Sequence, residues 1–194
     1  MGPKGTLVGI DADHDAVERA RVAVSDLKGR ELPRIELVED NFSNLASILA
    51  QTGATSPNRI LFDLGWSSFQ LTTGKGFSFR ADEPLLMTYG SPETSETTAA
   101  DLVNHLSETS LADMIFSLGE ERFSRGIAKS IVAARSEAPI SSTFALVEAI
   151  EAGVPAWYRH RKLHPATKTF QALRIAVNNE LGALRSGLST ALAT

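Results

Sequence analysis

The sequence predicts an α/β fold in which a small parallel sheet is joined to a block of helices, and three observations lead there. Short apolar runs alternate with helical periodicity through the first third of the chain. From Ala99 to about Ala152 the periodicity is helical throughout. Between these regions, Ile60-Leu61-Phe62 ends on a carboxylate, Asp63, and breaks into a loop around Gly65, Ser67 and Ser68. Strand–helix alternation implies parallel strands with right-handed crossovers. In open parallel sheets, ligands bind beyond the carboxyl ends of the strands, which is where Asp63 and its loop would lie. An ordinary strand and turn would leave the same local pattern.

Thr6–Ile10 is a short apolar strand ending at Asp11, and Asp13 is placed to cap the next helix. In that helix Val17, Ala20, Val24 and Leu27 recur on one face, and Gly29 is its expected stop. Ile35–Val38 is a second strand, followed by Asp40-Asn41-Phe42-Ser43-Asn44. Leu45, Ile48 and Leu49 mark a short helix, and Ile60–Asp63 is expected as the third strand. Helices are then expected over 101–106, 111–118, 122–135 and 143–152. In 122–135, Phe123, Ile127 and Ile131 share a face while Arg122, Arg125 and Lys129 form a cationic stripe opposite. Arg159-His160-Arg161-Lys162 reads as a basic loop. A single long helix is expected from about Thr167 to Ala191, with Phe170, Leu173, Val177, Leu181, Leu184 and Leu188 as its apolar stripe.

A chain of 194 residues, 43% hydrophobic and 22% charged, has the composition of a globular domain with a real core. Zero cysteines exclude disulfides and thiolate metal sites. No run approaches a membrane span, no signal-peptide core follows Met1, and a cytoplasmic location is expected. Net charge is −4, yet the window from Arg122 to Arg174 carries nine Lys or Arg and three Glu. That basic stretch suits phosphates, or equally a solvated helical surface.

The strand ends offer Asp11, Asn41-Phe42 and Asp63. A carboxylate after a strand holds a ribose because its oxygens accept both hydroxyl protons, and an aromatic ring such as Phe42 covers a flat purine. Three such groups on successive strands suggest an adenosine-containing cofactor. Strand-end acids also cap helices, so each alone is weak. No G-x-G-x-x-G or Walker A loop is present, and Ser67 and Ser68 lack a hydrolase nucleophile context. His14, His105, His160 and His164 show no metal-ligand spacing, so no metal site is expected. Trp157 and Tyr158 beside the basic loop combine aromatic and cationic groups, as single-stranded RNA surfaces do, or simply anchor the loop.

Several segments together resemble the RsmH (MraW) family of S-adenosylmethionine-dependent methyltransferases, which modify N4 of a cytidine in small-subunit (16S) ribosomal RNA. They are Gly9–Asp13, Phe62–Leu71, Gly76-Phe77-Ser78-Phe79-Arg80, Gly119-Glu120-Glu121-Arg122-Phe123 and His164–Arg174. The last, His-Pro-Ala-Thr-Lys-Thr-Phe-Gln-Ala-Leu-Arg, is the most specific. The resemblance implies a Rossmann-like class I methyltransferase core with an incomplete parallel sheet and an inserted all-helical subdomain. It divides the chain into a partial core over 1–75, a helical RNA-recognition insertion over 76–165 and a return helix over 166–194. By motif match, Asp11 would hold the cofactor ribose, Phe42 would lie beside the adenine, and Asp63 and Gln70 would complete the S-adenosylmethionine pocket. Asp63 is also the one candidate catalytic group. Ribosomal RNA, or the 30S subunit, would meet Arg122, Arg125, Lys129, Arg159, Arg161, Lys162 and Lys168.

Against the family pattern, the Gly-Gly-His loop and the later Ser-Phe-His-Ser segment are absent. Truncation at both ends and weak cofactor binding by this chain alone are therefore expected. Trp66 and Phe69 stand where Val and Pro are usual, and Glu83–Tyr89 departs from Asp-Gly-Pro-Leu-Asp-Met-Arg. A non-catalytic RNA-binding remnant is the alternative reading. A nicotinamide-dependent oxidoreductase, using Asp11 for a dinucleotide ribose, is a more distant one.

Overall fold

The computed structural model describes residues 2–27, 31–65, 67–90 and 97–194. Gly29 and Trp66 lie outside them. The chain divides into two compact units, residues 1–64 with 180–194 and residues 65–179.

In the first unit, β1 (Thr6–Asp11) and β2 (Arg34–Glu39) pair in parallel, Thr6 opposite Arg34 and Asp11 opposite Glu39. Between them runs α1 (His14–Ser25), whose first turn is capped by the Asp13 carboxylate accepting from Asp15 N at 3.0 Å. This is the α/β crossover expected from the sequence. After β2, a 3-10 turn (Phe42–Asn44) leads into α2 (Leu45–Thr52). Gly53 ends α2 in the left-handed region, φ 70°, where a β-carbon would be strained. The final helix α9 (Glu180–Ala193) returns to this unit and buries Ala183 and Gly187. Gly187 is required there, because a β-carbon would stand 2.8 Å from the Phe42 ring.

The third strand is not formed. Ile60–Asp63 is irregular, and the sheet has two strands. Leu61 is 90% exposed and Leu64 51% exposed. An apolar run becomes a strand only where a neighbour supplies ladder hydrogen bonds, and the described residues give this one no ladder partner.

The second unit is helical: α3 (Ala99–His105), α4 (Glu108–Gly119), α5 (Ser124–Glu137), α6 (Thr143–Ala152), α7 (Ala156–Arg159) and α8 (Thr167–Val177). Three of these helices are capped by side chains that the sequence supplies. Thr98 and Asp101 form a reciprocal capping box on α3, Ser107 caps α4 and Ser142 caps α6. Apolar positions at helical spacing then meet in one core that includes Leu111, Ile115, Ile127, Ile131, Leu146, Ile150 and Leu173. α5 and α6 approach closely at Gly126 and Gly153, where a β-carbon on Gly153 would lie 2.7 Å from the Gly126 carbonyl oxygen. The loop before α3 is pinned to the start of α6: Leu85 N donates to Ser141 O at 3.0 Å, and Thr143 Oγ1 donates to Ala81 O at 2.8 Å.

The single helix expected over 167–191 is two helices. Asn179 takes φ 45° and ends the first, while the Asn178 amide donates to the carbonyls of Met87 and Arg174. The break resets the phase, so α9 turns Ala183 and Gly187 inward and leaves Leu181 and Leu188 exposed. α8 packs on α4 inside the helical unit.

Candidate functional site

The carboxyl ends of β1 and β2 bring together two of the four residues expected to meet a cofactor. Asp40 N donates to Asp11 O at 3.0 Å, which brings Asn41 and Phe42 beside the end of β1. The Phe42 ring meets Phe62 edge-on with centroids 5.7 Å apart, and Asp63 is the residue that follows this contact.

Asp11 is exposed, and its Oδ1 accepts from Asp13 N at 2.9 Å. Among the described residues its second oxygen has no partner, as a hydroxyl acceptor requires. Asp63 is exposed and has no hydrogen-bond or ion-pair partner among the described residues. Phe42 is half-buried against Gly187, and its aromatic neighbour touches it edge-on rather than lying over it. This donor set fits an adenosine: acceptors for ribose hydroxyls and an apolar ring. A separate shallow concavity of this unit lies between the end of α1 and the first half of β2, lined by Arg21, Val24, Ser25, Ile35, Glu36 and Leu37.

Gln70 belongs to the other unit and is buried. Its Oε1 accepts from Ser67 N at 3.0 Å, closing a capping box on the 3-10 turn Ser68–Thr72. The local reason is geometric, because a glutamine three residues after a serine reaches back to the serine's own N–H. Gln70 thus shapes the loop that follows Asp63.

At the acidic end of the α/β unit, His14 Nδ1 lies 2.7 Å from Glu39 Oε2. The hydrogen bond to Glu39, and then its charge, hold the imidazole pKa above the usual 6.5.

The expected RNA-contacting residues all belong to the helical unit. Lys129, Arg159, Arg161 and Lys162 are exposed and, among the described residues, form no ion pair. Arg125 pairs with Asp113 at 3.3 Å, and Lys168 Nζ donates to Glu120 O at 2.7 Å. Arg122 precedes α5 and lays its guanidinium 4.8 Å from the Phe123 centroid and 5.1 Å from that of Trp157. Arg161 stands 5.6 Å over Tyr158.

Beneath these cations lies a group that sequence reasoning missed. Glu121 is fully buried; its carboxylate accepts from Phe123 N at 2.9 Å and from Tyr158 Oη at 2.7 Å. Burial, and then the hydrogen bond to Glu121, push the Tyr158 phenol up to about 12. A glutamate beside Glu120 and Arg122 reads as surface, and Tyr158 is too distant in sequence to signal the bond. Among the described residues no group of His, Asp and Glu side chains is arranged to hold a metal ion, and no helix is long and apolar enough to cross a membrane.

A parallel βα crossover with a carboxylate at the end of its first strand, joined to a helical unit, is the architecture of a Rossmann-like class I methyltransferase. The family model described as MraW methylase family matches residues 1–194, and the chain belongs to that family. Curated relatives agree. It is 46% identical over 192 residues to the ribosomal RNA small subunit methyltransferase H of Deinococcus radiodurans, covering 98% of this chain and 58% of that protein. The protein of the same name from Desulforapulum autotrophicum is 46% identical over 190 residues, covering 97% of this chain and 59% of the relative. That from Lactobacillus helveticus is 44% identical over 191 residues, covering 97% of this chain and 60% of the relative. The chain thus spans about three-fifths of the length of these relatives.

Proposed function

We propose that this chain serves an S-adenosylmethionine-dependent methyltransferase acting on N4 of a cytidine in small-subunit ribosomal RNA, in the cytoplasm. The observation that carries the reading is the match to relatives named ribosomal RNA small subunit methyltransferase H over nearly all of this chain. Because those relatives are longer, reduced or no activity is expected from the 194 residues alone.

S-adenosylmethionine, when bound, supplies an electrophilic methyl carbon. Asp11 would accept the ribose hydroxyls, and Phe42 would lie beside the adenine. Asp63 would complete the pocket from the end of the Ile60–Phe62 run, and Gln70 would hold the following loop in shape. Cytosine N4 is a poor nucleophile because its lone pair is delocalised into the ring. Alignment of the amine therefore supplies much of the acceleration, and flipping the base out of its stack exposes it. The basic residues between Arg122 and Lys168 would hold the RNA phosphates.

Calorimetry gives the first test. The chain alone should bind S-adenosylmethionine more weakly than micromolar, and Asp11→Ala should remove the remaining heat. Micromolar affinity would overturn the expectation of weak binding by these 194 residues alone, and affinity indifferent to Asp11 would contradict the role given to Asp11. The second test replaces the matching segment of the Deinococcus radiodurans relative with these 194 residues. That chimera should transfer labelled methyl to small-subunit ribosomal RNA as N4-methylcytidine. A folded chimera that labels no RNA, or labels another position, would sink the reading.

A further inference from the structure

Trp157 is 56% exposed, whereas its neighbour Tyr158 is 6% exposed. Anchoring of this segment is done by Tyr158, whose hydroxyl is tied to the buried Glu121 and whose ring packs on Phe123 with centroids 4.7 Å apart. Trp157 packs edge-on against both rings, at 5.9 Å from Phe123 and 5.7 Å from Tyr158, so its orientation is fixed while much of its surface stays in solvent. A large indole left outside the core needs another reason to be held so firmly.

The charges around it supply one. Arg122 lies 5.1 Å from the indole centroid and, among the described residues, makes no ion pair. Arg159, Arg161 and Lys162 follow it on the same short segment, exposed and likewise without ion pairs among the described residues. Of the acids on the neighbouring elements, Asp113 holds Arg125, Glu151 faces His164 at 3.7 Å and Glu121 is buried beneath the rings, while Glu120 and Glu148 are exposed. A rigid exposed aromatic among unpaired cations matches a single-stranded nucleic acid, whose bases offer open π-faces beside each phosphate. A duplex hides those faces.

We propose that Trp157 is a stacking platform for one unpaired nucleotide of the RNA, with Arg122 and Arg159 on the flanking phosphates and Glu121 holding the platform through Tyr158. This rests on the reading that the chain acts on RNA, and it adds which RNA feature the helical unit selects and by which residue.

The test uses the full chain with oligo(rU), alone and annealed to oligo(rA), followed by fluorescence anisotropy. Trp157→Ala should weaken binding of the single strand about ten- to hundredfold. Binding of the duplex and the salt dependence of single-strand binding should change little, because no phosphate contact is lost. Trp157→Phe should restore most of the affinity, which a merely structural loss would not predict. In a Trp66→Phe background Trp157 is the sole tryptophan, and its emission should be quenched by oligo(rU). Trp157→Ala with unchanged single-strand affinity, in a chain that still binds RNA, would overturn the platform and leave the RNA reading standing. Failure of the unaltered chain to bind either RNA would overturn both.

Discussion

The two units bury their apolar residues to very different degrees. In the helical unit, Leu111, Ile115, Ile127, Ile131, Leu146, Ile150 and Leu173 are all fully excluded from solvent. Among the described residues of the α/β unit only Ile48 reaches that level among the large apolar side chains, and Leu7, Val22, Leu61 and Leu64 are exposed. Helices satisfy their backbone internally and need only a partner for one stripe. A two-stranded ladder satisfies half of its polar groups and buries little. The unit that carries Arg122, Arg159 and Arg161 is thus the more self-sufficient one, and the unit with Asp11 and Asp63 is expected to open more easily.

The largest expected effect follows from that difference. Ile131→Ala should destabilise the helical unit by about 2–5 kcal/mol, the range for large-to-small changes at fully buried sites. Ile48→Ala should remove the principal buried anchor of α2 and abolish protection in β1 and β2, while α4, α5 and α8 keep theirs. Hydrogen exchange read by mass spectrometry distinguishes the units directly. Simultaneous loss of protection in both units of Ile48→Ala would break the comparison.

Legibility in the sequence followed the same division. β1, α1, β2 and the helices from α3 to α6 were readable because each rests on local signals: an apolar run or a stripe at helical spacing, with a capping Asp before α1. The strand over 60–63 was misread because pairing depends on a neighbour that the segment does not encode. The break at Asn178-Asn179 was missed because the leucine periodicity runs through it. Its cause is the Asn178 side chain bonding Met87, ninety-one positions away in sequence. Asp11 ends β1 and Phe42 follows β2 as expected, whereas Asp63 was expected at the end of a strand that is not formed, and Glu121 was hidden by its charged neighbours.

A smaller effect sharpens the comparison inside the helical unit. Tyr158→Phe deprives the buried Glu121 carboxylate of its hydroxyl donor, with an expected loss of about 1–3 kcal/mol. The phenol's pKa is raised from 10.0 to about 12 in the folded chain, so its contribution is complete below pH 10 and fades as pH climbs toward 12. Tyrosinate absorbance should therefore show a component near pH 12 that Tyr158→Phe removes. Complete titration near pH 10 in a still-folded chain would contradict the buried bond.

The smallest effect lies at the acidic end of the α/β unit, where His14 and Glu39 meet in solvent. The Glu39 hydrogen bond and charge raise the imidazole pKa, so this pair's support is present below pH 6.5 and is lost as pH rises through the folded value. Being exposed, the pair should shift the unfolding midpoint barely at all. Its signature is spectroscopic: the His14 ring resonances should titrate above 6.5, and Glu39→Gln should bring them back. Because His14 opens α1 and Glu39 closes β2, the titration reports the side-chain contact between the first turn of that helix and the end of that strand. An unshifted His14 in the unaltered chain would mean that the His14–Glu39 pair does not persist in solution, leaving the β1–β2 ladder to hold the strand ends by itself.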